Sequence, residues 1–272
     1  MLVPGDMLEL SDNYEHADQK IEYLVENEIF YPSHITKSFE DLREAFNSHL
    51  SSSCNCSEEC STEFCSHGGC YKEFSYPESS KAELILNEFR KNREFIYECS
   101  QFCKCPETCR NRLVQFGPRL DLEVRDCGTE KRQGLFTKAV IPVGGFICEY
   151  AGELLTKSEA VRRDAMKDPM KYLLCLNEIS SDGVKSQTFV DPIRKGNIGR
   201  YLNHSCDPNC EIICVRIDNI LPKLGIFATR QIAPEEELTF DYAEGCSQAS
   251  TGDKTCLCMS EKCRKFLPNT CF

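Results

Sequence analysis

Twenty cysteines in 272 residues are the first chemistry this sequence offers, and they are clustered. Cys54, Cys56, Cys60, Cys65 and Cys70 form one group, Cys99, Cys103, Cys105 and Cys109 a second, and Cys256, Cys258 and Cys263 a third. Neighbours at Cys-x-Cys spacing bridge one another only with strain, yet turn readily toward a common ion. The segment from Met1 to His16 lacks the basic-then-apolar pattern of an export signal. A reducing compartment is therefore expected, where clustered thiols favour metal over disulfides. Thiolates at this spacing suit zinc or iron–sulfur, and zinc is favoured because no ferredoxin-type spacing is present.

The first two groups hold nine cysteines, an awkward number for separate four-ligand sites. Two such sites leave one thiol over. Three tetrahedral ions need about twelve ligand positions, which nine sulfurs fill if three of them each bridge two metals. Spacing alone does not choose between these. His67, in a loop beside Gly68 and Gly69, reads as a bystander.

The elements that must position this chemistry are short. Leu120–Val124 alternates, Phe146–Tyr150 is apolar and β-prone, and Thr188–Val190 and Leu224–Ala228 are compact. Gly144-Gly145, Pro192, Gly196 and Pro222 punctuate them. Lys157–Lys171 reads as a helix capped by Thr156 or Ser158, and Ser79–Asn92 also looks helical. Ser38 with Asp41 resembles a capping box before Leu42 and Phe46. The expected class is mainly β with a few short helices (α+β), about two domains in length. No Gly-x-Gly-x-x-Gly opens a helix, which disfavours a dinucleotide fold. No apolar run approaches the roughly 18 residues of a membrane span.

Charge is as uneven as the cysteines. The chain carries −11 in all, and −8 of it lies between Met1 and Ser53, where Tyr23, Leu24, Ile29, Phe30 and Tyr31 interrupt the acidic run. This end reads as a solvated arm of short helices or partly ordered chain, with reception of a basic partner as the sharper alternative. Such acidity argues against nonspecific nucleic-acid binding.

Dense polar information then appears in Gly199-Arg-Tyr-Leu-Asn-His-Ser-Cys-Asp-Pro-Asn209 and in Glu237-Leu-Thr-Phe-Asp-Tyr242. Together with Glu149-Tyr-Ala-Gly-Glu153 and the nine-cysteine block, these motifs resemble the SET-domain histone-lysine methyltransferases with pre-SET and post-SET segments. The resemblance runs from about Ser53 to Pro268. It implies small curved sheets with a knot-like crossing, flanked by zinc segments. Its divisions fall at 1–50 (acidic arm), 51–117 (pre-SET), 118–243 (SET) and 252–268 (post-SET).

By that resemblance, the nine cysteines of the first two groups hold three zinc ions, and Cys206, Cys256, Cys258 and Cys263 hold a fourth, with Cys210 as the competing thiol for Cys206. The cofactor is S-adenosylmethionine, contacted by Lys131, Arg132, Gln133, Tyr172, Arg200, Asn203 and His204. Tyr242, Tyr150 and Phe240 line the lysine channel, with Tyr242 as the catalytic residue. Phenylalanine at 240 leaves room for bulkier methylated lysines, so di- or trimethylation is expected. Lysine nine of histone H3 is the default target. The partner is a histone tail or nucleosome, the compartment the nucleus, and the chain a monomer, with no sequence-specific nucleic-acid binding and no membrane.

One departure stands out: Arg132-Gln133-Gly134 occupies the place of the family's Gly-Trp-Gly, and the chain has no tryptophan. This favours a second reading, a weakly active or inactive SET protein that serves as a zinc-stabilised module binding chromatin or a protein partner. A zinc-finger DNA-binding module is disfavoured, because paired histidines and a basic recognition helix are missing. Zinc-bound thiols are deprotonated, so a chain loaded with four ions would be more acidic than its composition.

Overall fold

The computed structural model describes residues 12–50, 52–58, 60–61, 65–77, 81–87, 95–166, 172–179, 183–243 and 251–269. The apolar stretches of the middle of the chain become strands of three small sheets. Leu122–Asp126, Gln133–Thr137 and Glu237–Phe240 form an antiparallel run. Asn203–His204 lies parallel to its edge, with Asn203 opposite Thr239 and His204 opposite Phe240. This pairing brings the two polar motifs side by side. In the second sheet, Cys210–Arg216 pairs with Lys223–Ala228, which pairs with Phe146–Glu149, and Phe95–Tyr97 adds in parallel from the cysteine-rich segment. The third is centred on Lys185–Gly196, between Leu174–Ile179 and Gly152–Leu155.

Where the sheets meet, Leu135, Ile147, Leu224, Ile226, Ile232 and Leu238 are fully buried in one core. Each such side chain contributes about 1.5–3 kcal/mol relative to exposure, which makes the sheets a rigid base for the motifs at their ends.

Ala82–Leu86, expected to be helical, is a strand antiparallel to Tyr71–Ser75. Its apolar run fits either periodicity, and pairing decides: Leu86 N donates to Gly144 O at 2.9 Å and Ile85 bridges to Gly145. The remainder of the expected helix, Ser79-Ser80 and residues 88–92, lies outside the described residues. Two α-helices occur among those residues. Lys157–Ala165 is capped by Thr156, whose hydroxyl accepts from Glu159 N, and residues 167–171 of the expected helix lie outside the described residues. Lys37–Phe46 is capped by Thr36 rather than Ser38, because Thr36 holds the extended conformation that a cap needs while Ser38 already lies inside the helix.

The acidic arm is not a free solvated extension. Glu22–Tyr23 pairs in parallel with Lys195-Gly196, and Glu28–Ile29 with Glu153-Leu154, at two places on the third sheet. The apolar residues that interrupt the acidic run explain this docking: Leu24 and Ile29 are buried, and Phe30 packs beneath the sheet.

Candidate active site

The cysteine-rich segment gathers its thiols before any metal is considered. Cys54, Cys60 and Cys99 place their sulfurs in a triangle with edges of 3.5, 3.5 and 3.9 Å. Ligand groups built around it are Cys54, Cys60, Cys65 and Cys99; Cys60, Cys99, Cys105 and Cys109; and His67, Cys99 and Cys103. Cys56 packs against this cluster. Sulfurs about 3.7 Å apart are what a tetrahedral zinc with bonds of about 2.3 Å requires, so the donors fit zinc.

Two expectations change here. Cys70 is not gathered in: its thiol faces the carbonyl oxygens of Tyr97 and His67 at 3.5 and 3.6 Å, inside a separate apolar core. His67, expected to be a bystander, does face the cluster. In the C-terminal segment Cys206, Cys256, Cys258 and Cys263 converge, with Cys206 and Cys256 sulfurs 3.7 Å apart. Cys210 does not compete, because strand Cys210–Arg216 buries it beside Asn209.

A cleft of about 680 Å³ opens between the N-terminal arm, the two polar motifs and the C-terminal cysteine segment, within the usual range for small-molecule sites. Lys131, Arg132, Gln133, Tyr172, Arg200, Asn203 and His204 all line it, together with Tyr242. The sequence motifs thus meet in space. Arg200 is buried, donates to Pro192 O at 3.0 Å, and stacks its guanidinium over the Tyr172 and Tyr201 rings. Asn203 donates to Gln133 O at 3.0 Å and to Glu237, which also holds Lys131. A Cβ at Gly134 would come within 2.7 Å of the Glu237 carboxylate and 2.8 Å of the Cys127 sulfur, so a larger residue there would have to displace those side chains.

His204 connects the cleft to the metal segment. Its Nδ1 accepts from Tyr242 N at 3.2 Å, which places the ring proton on Nε2, 3.3 Å from the Cys206 sulfur. Burial, reinforced by Arg264, pushes His204 down to about 4 despite Asp241, so the ring is neutral near pH 7. Behind it the rings of His204, Tyr242, Phe240 and Tyr150 follow one another at centroid distances of 5.3, 4.8 and 5.9 Å. Tyr150 and Phe240 do not line the open cleft but form this buried wall. The Tyr242 hydroxyl donates to Leu202 O at 3.0 Å, and Tyr150 to Tyr172 O at 2.5 Å. Burial raises both phenols far above the neutral range, so each stays protonated.

Arg132 adopts a left-handed backbone, φ +61°, at the position where the resemblance expects glycine. A non-glycine residue there carries about 1–2 kcal/mol of strain, offset in part by the lower chain entropy of arginine in the unfolded state. Arg132→Gly is therefore expected to stabilise the protein by up to about 1 kcal/mol, read as a rise of roughly 2–4 °C in a calorimetric Tm. A fall in Tm would contradict the strain.

The fourth ligand set implies a C-terminal tail pinned over the site, but the sequence named none of that wall's lining residues and missed a second wall from the arm. The post-SET segment supplies Lys254, Thr255, Leu257 and Leu267, and the arm supplies Asp18, Lys20 and Ile21. The available signal in the arm was its isolated Tyr14, His16 and Tyr23. His16 Nε2–H donates to Gly196 O at 2.9 Å, while Nδ1 accepts from the Tyr201 hydroxyl at 2.9 Å. Burial lowers the His16 pKa, opposed by the Gly196 carbonyl, aided by Arg200 and opposed again by Asp18. A lowered folded pKa means that docking of the arm is fully stabilised above the unfolded value of about 6.5 and weakens as pH falls below it. Amide exchange in residues 12–31 should accelerate between pH 7.5 and 5.5 relative to the core. His16→Gln should abolish that pH dependence, and an unchanged profile in the variant would refute it.

Comparison with known proteins agrees with this geometry. The SET domain model matches residues 132–243, and the Pre-SET motif model matches residues 8–112. The chain is 43% identical over 220 residues to a probable histone-lysine N-methyltransferase set-23 of Caenorhabditis elegans, covering 79% of this chain and 86% of that protein. The methyltransferase domain of human histone-lysine N-methyltransferase SETMAR superposes with a TM-score of 0.74 at 33% identity, covering 96% of this chain and 93% of that one. A structure of KRYPTONITE in complex with mCHH DNA, H3(1-15) peptide and SAH aligns with a TM-score of 0.65 at 26% identity, covering 91% and 48%.

Proposed function

Because the chain belongs to the SET-domain family of histone-lysine N-methyltransferases, we propose that it transfers methyl groups from S-adenosylmethionine to a lysine of the histone H3 tail, with lysine nine as the target. The observation that carries this reading is the convergence of Arg200, Asn203, His204, Tyr172 and Lys131–Gln133 on one cleft that Tyr242 also lines. Bound there, the cofactor supplies the methyl group on a positively charged sulfonium.

This chain's own residues do the rest. The channel wall of Tyr150, Phe240 and Tyr242 is buried and apolar, so an entering lysine loses its hydration and its ammonium form is disfavoured. The ammonium proton is left to bulk water as the side chain enters, so a neutral amine results without a carboxylate base. Tyr242 is not that base either: its phenol stays protonated and its proton is committed to Leu202 O. The hydroxyl oxygen instead accepts from the amine and fixes its line of approach. His204 holds the Tyr242 backbone in place through Nδ1. The segments bearing the zinc donors supply rigidity, with three ions in the pre-SET cluster and one shared between SET and post-SET segments.

Phe240 sets the product. Its ring packs between Tyr150 and Tyr242, where a hydroxyl would fill the space that extra methyl groups need. Mass spectrometry of an H3 tail peptide should show di- and trimethyl-lysine with the wild type and mainly monomethyl-lysine with Phe240→Tyr. Wild-type product that stops at monomethyl-lysine would sink the assignment, and modification confined to another lysine would sink the choice of target. The acidic surface suits a basic histone tail in the nucleus, reached as a monomer acting on the nucleosome.

A further inference from the structure

The two groups of the pre-SET segment contain nine cysteines, yet the structure brings only eight of them to the metal cluster and puts a histidine in the remaining place. We propose that His67, and not Cys70, is the ninth ligand, giving a cluster of eight cysteines and one histidine around three zinc ions. The proposal rests on the three-zinc reading above and specifies its donors.

The donors close around the sulfur triangle. Cys54, Cys60 and Cys99 are the three mutually close sulfurs, and each edge of their triangle needs two terminal ligands. The Cys54–Cys60 edge has Cys65, with Cys56 packed beside it. The Cys60–Cys99 edge has Cys105 and Cys109. The Cys54–Cys99 edge has Cys103, whose sulfur also receives the Cys54 backbone N–H at 3.4 Å, and His67. His67 Nδ1 stands 3.8 Å from the Cys103 sulfur, close to the separation of about 3.6 Å that one zinc imposes on a sulfur and a nitrogen. The imidazole is buried and also meets the Ser52 backbone, the kind of outer partner that orients a ligating histidine.

The backbone explains why Cys70 is not the ninth. Gly68 and Gly69 both take positive φ, +81° and +50°, and reverse the chain immediately after His67. That reversal sends Cys70 to the other side, where Asn111 Oδ1 accepts from its N–H at 2.7 Å and its side chain packs with Tyr71, Leu86 and Ile96. The loaded cluster is then one unit less negative than nine thiolates would make it, since a ligating imidazole is neutral.

Zinc analysis of the purified full chain, with cadmium-113 exchange and nitrogen-15 histidine labelling, tests this. The proposal expects about four zinc ions per chain in the wild type, in Cys70→Ser and in His67→Cys, and about three in His67→Ala. It also expects cadmium–nitrogen coupling to the His67 ring of the wild type, a readout that does not depend on any variant folding. Loss of a zinc in Cys70→Ser, or a His67 ring without coupling, would overturn the assignment while leaving the three-zinc cluster intact. Two or fewer zinc ions in the wild type would remove the cluster reading itself, and this assignment with it.

Discussion

Tyr242→Phe is expected to lower kcat by at least about 100-fold while changing cofactor affinity by less than about threefold. The substitution removes one atom. That atom donates to Leu202 O and, in the proposed mechanism, accepts from the lysine amine, but the cleft wall of Arg200, Asn203 and Tyr172 does not depend on it. The ring remains packed between His204 and Phe240, and its backbone N–H still reaches His204 Nδ1. An effect on kcat without an effect on binding is the signature of an interaction made in the transition state. A parallel loss of cofactor affinity, seen by calorimetry, would instead make Tyr242 a packing residue.

Removing one donor of the proposed post-SET zinc site should have the second large effect. The pair Thr251–Thr255 and Phe266–Pro268 is a two-stranded ribbon, too small to be stable alone in water. Lys262–Asp207 and Arg264–Asp241 tie it to the SET segment, but such exposed ion pairs contribute about 0–1 kcal/mol each. A structural zinc contributes about ten times as much. Cys258→Ser should therefore lower the zinc content by one per chain, remove amide protection across residues 251–269 and weaken cofactor binding at least about tenfold. The last follows because Leu257 and Leu267 close the cleft. Protection that persists in the variant would show that packing alone holds the tail.

The motifs carried most of the candidate site because their residue types are chemically constrained. Cysteine pairs, Asn203-His204 and Asp241-Tyr242 kept their meaning regardless of what surrounds them. Elements that depend on partners were harder to read. Ala82–Leu86 has an apolar run that suits helix or strand, and only the approach of Gly144 and Gly145 decides. The arm was obscured by its charge: eight units of net negative charge suggested solvation, while a few apolar side chains and His16 were enough to dock it. His67 and Cys70 are three residues apart, and which of them faces the cluster is settled by the positive φ of the two glycines between them. Residue preference favours the cysteine. Backbone direction overrules it.

The central claim is methyl transfer to a histone lysine at the cleft that Tyr242 lines. Transfer of a radiolabelled methyl group from S-adenosylmethionine to recombinant histone H3, wild type beside Tyr242→Phe, tests it most directly. Label incorporated by the wild type and reduced at least about 100-fold in the variant is the expected result. Equal incorporation by both proteins, or none by a zinc-loaded wild type that also fails to bind the cofactor, would contradict it.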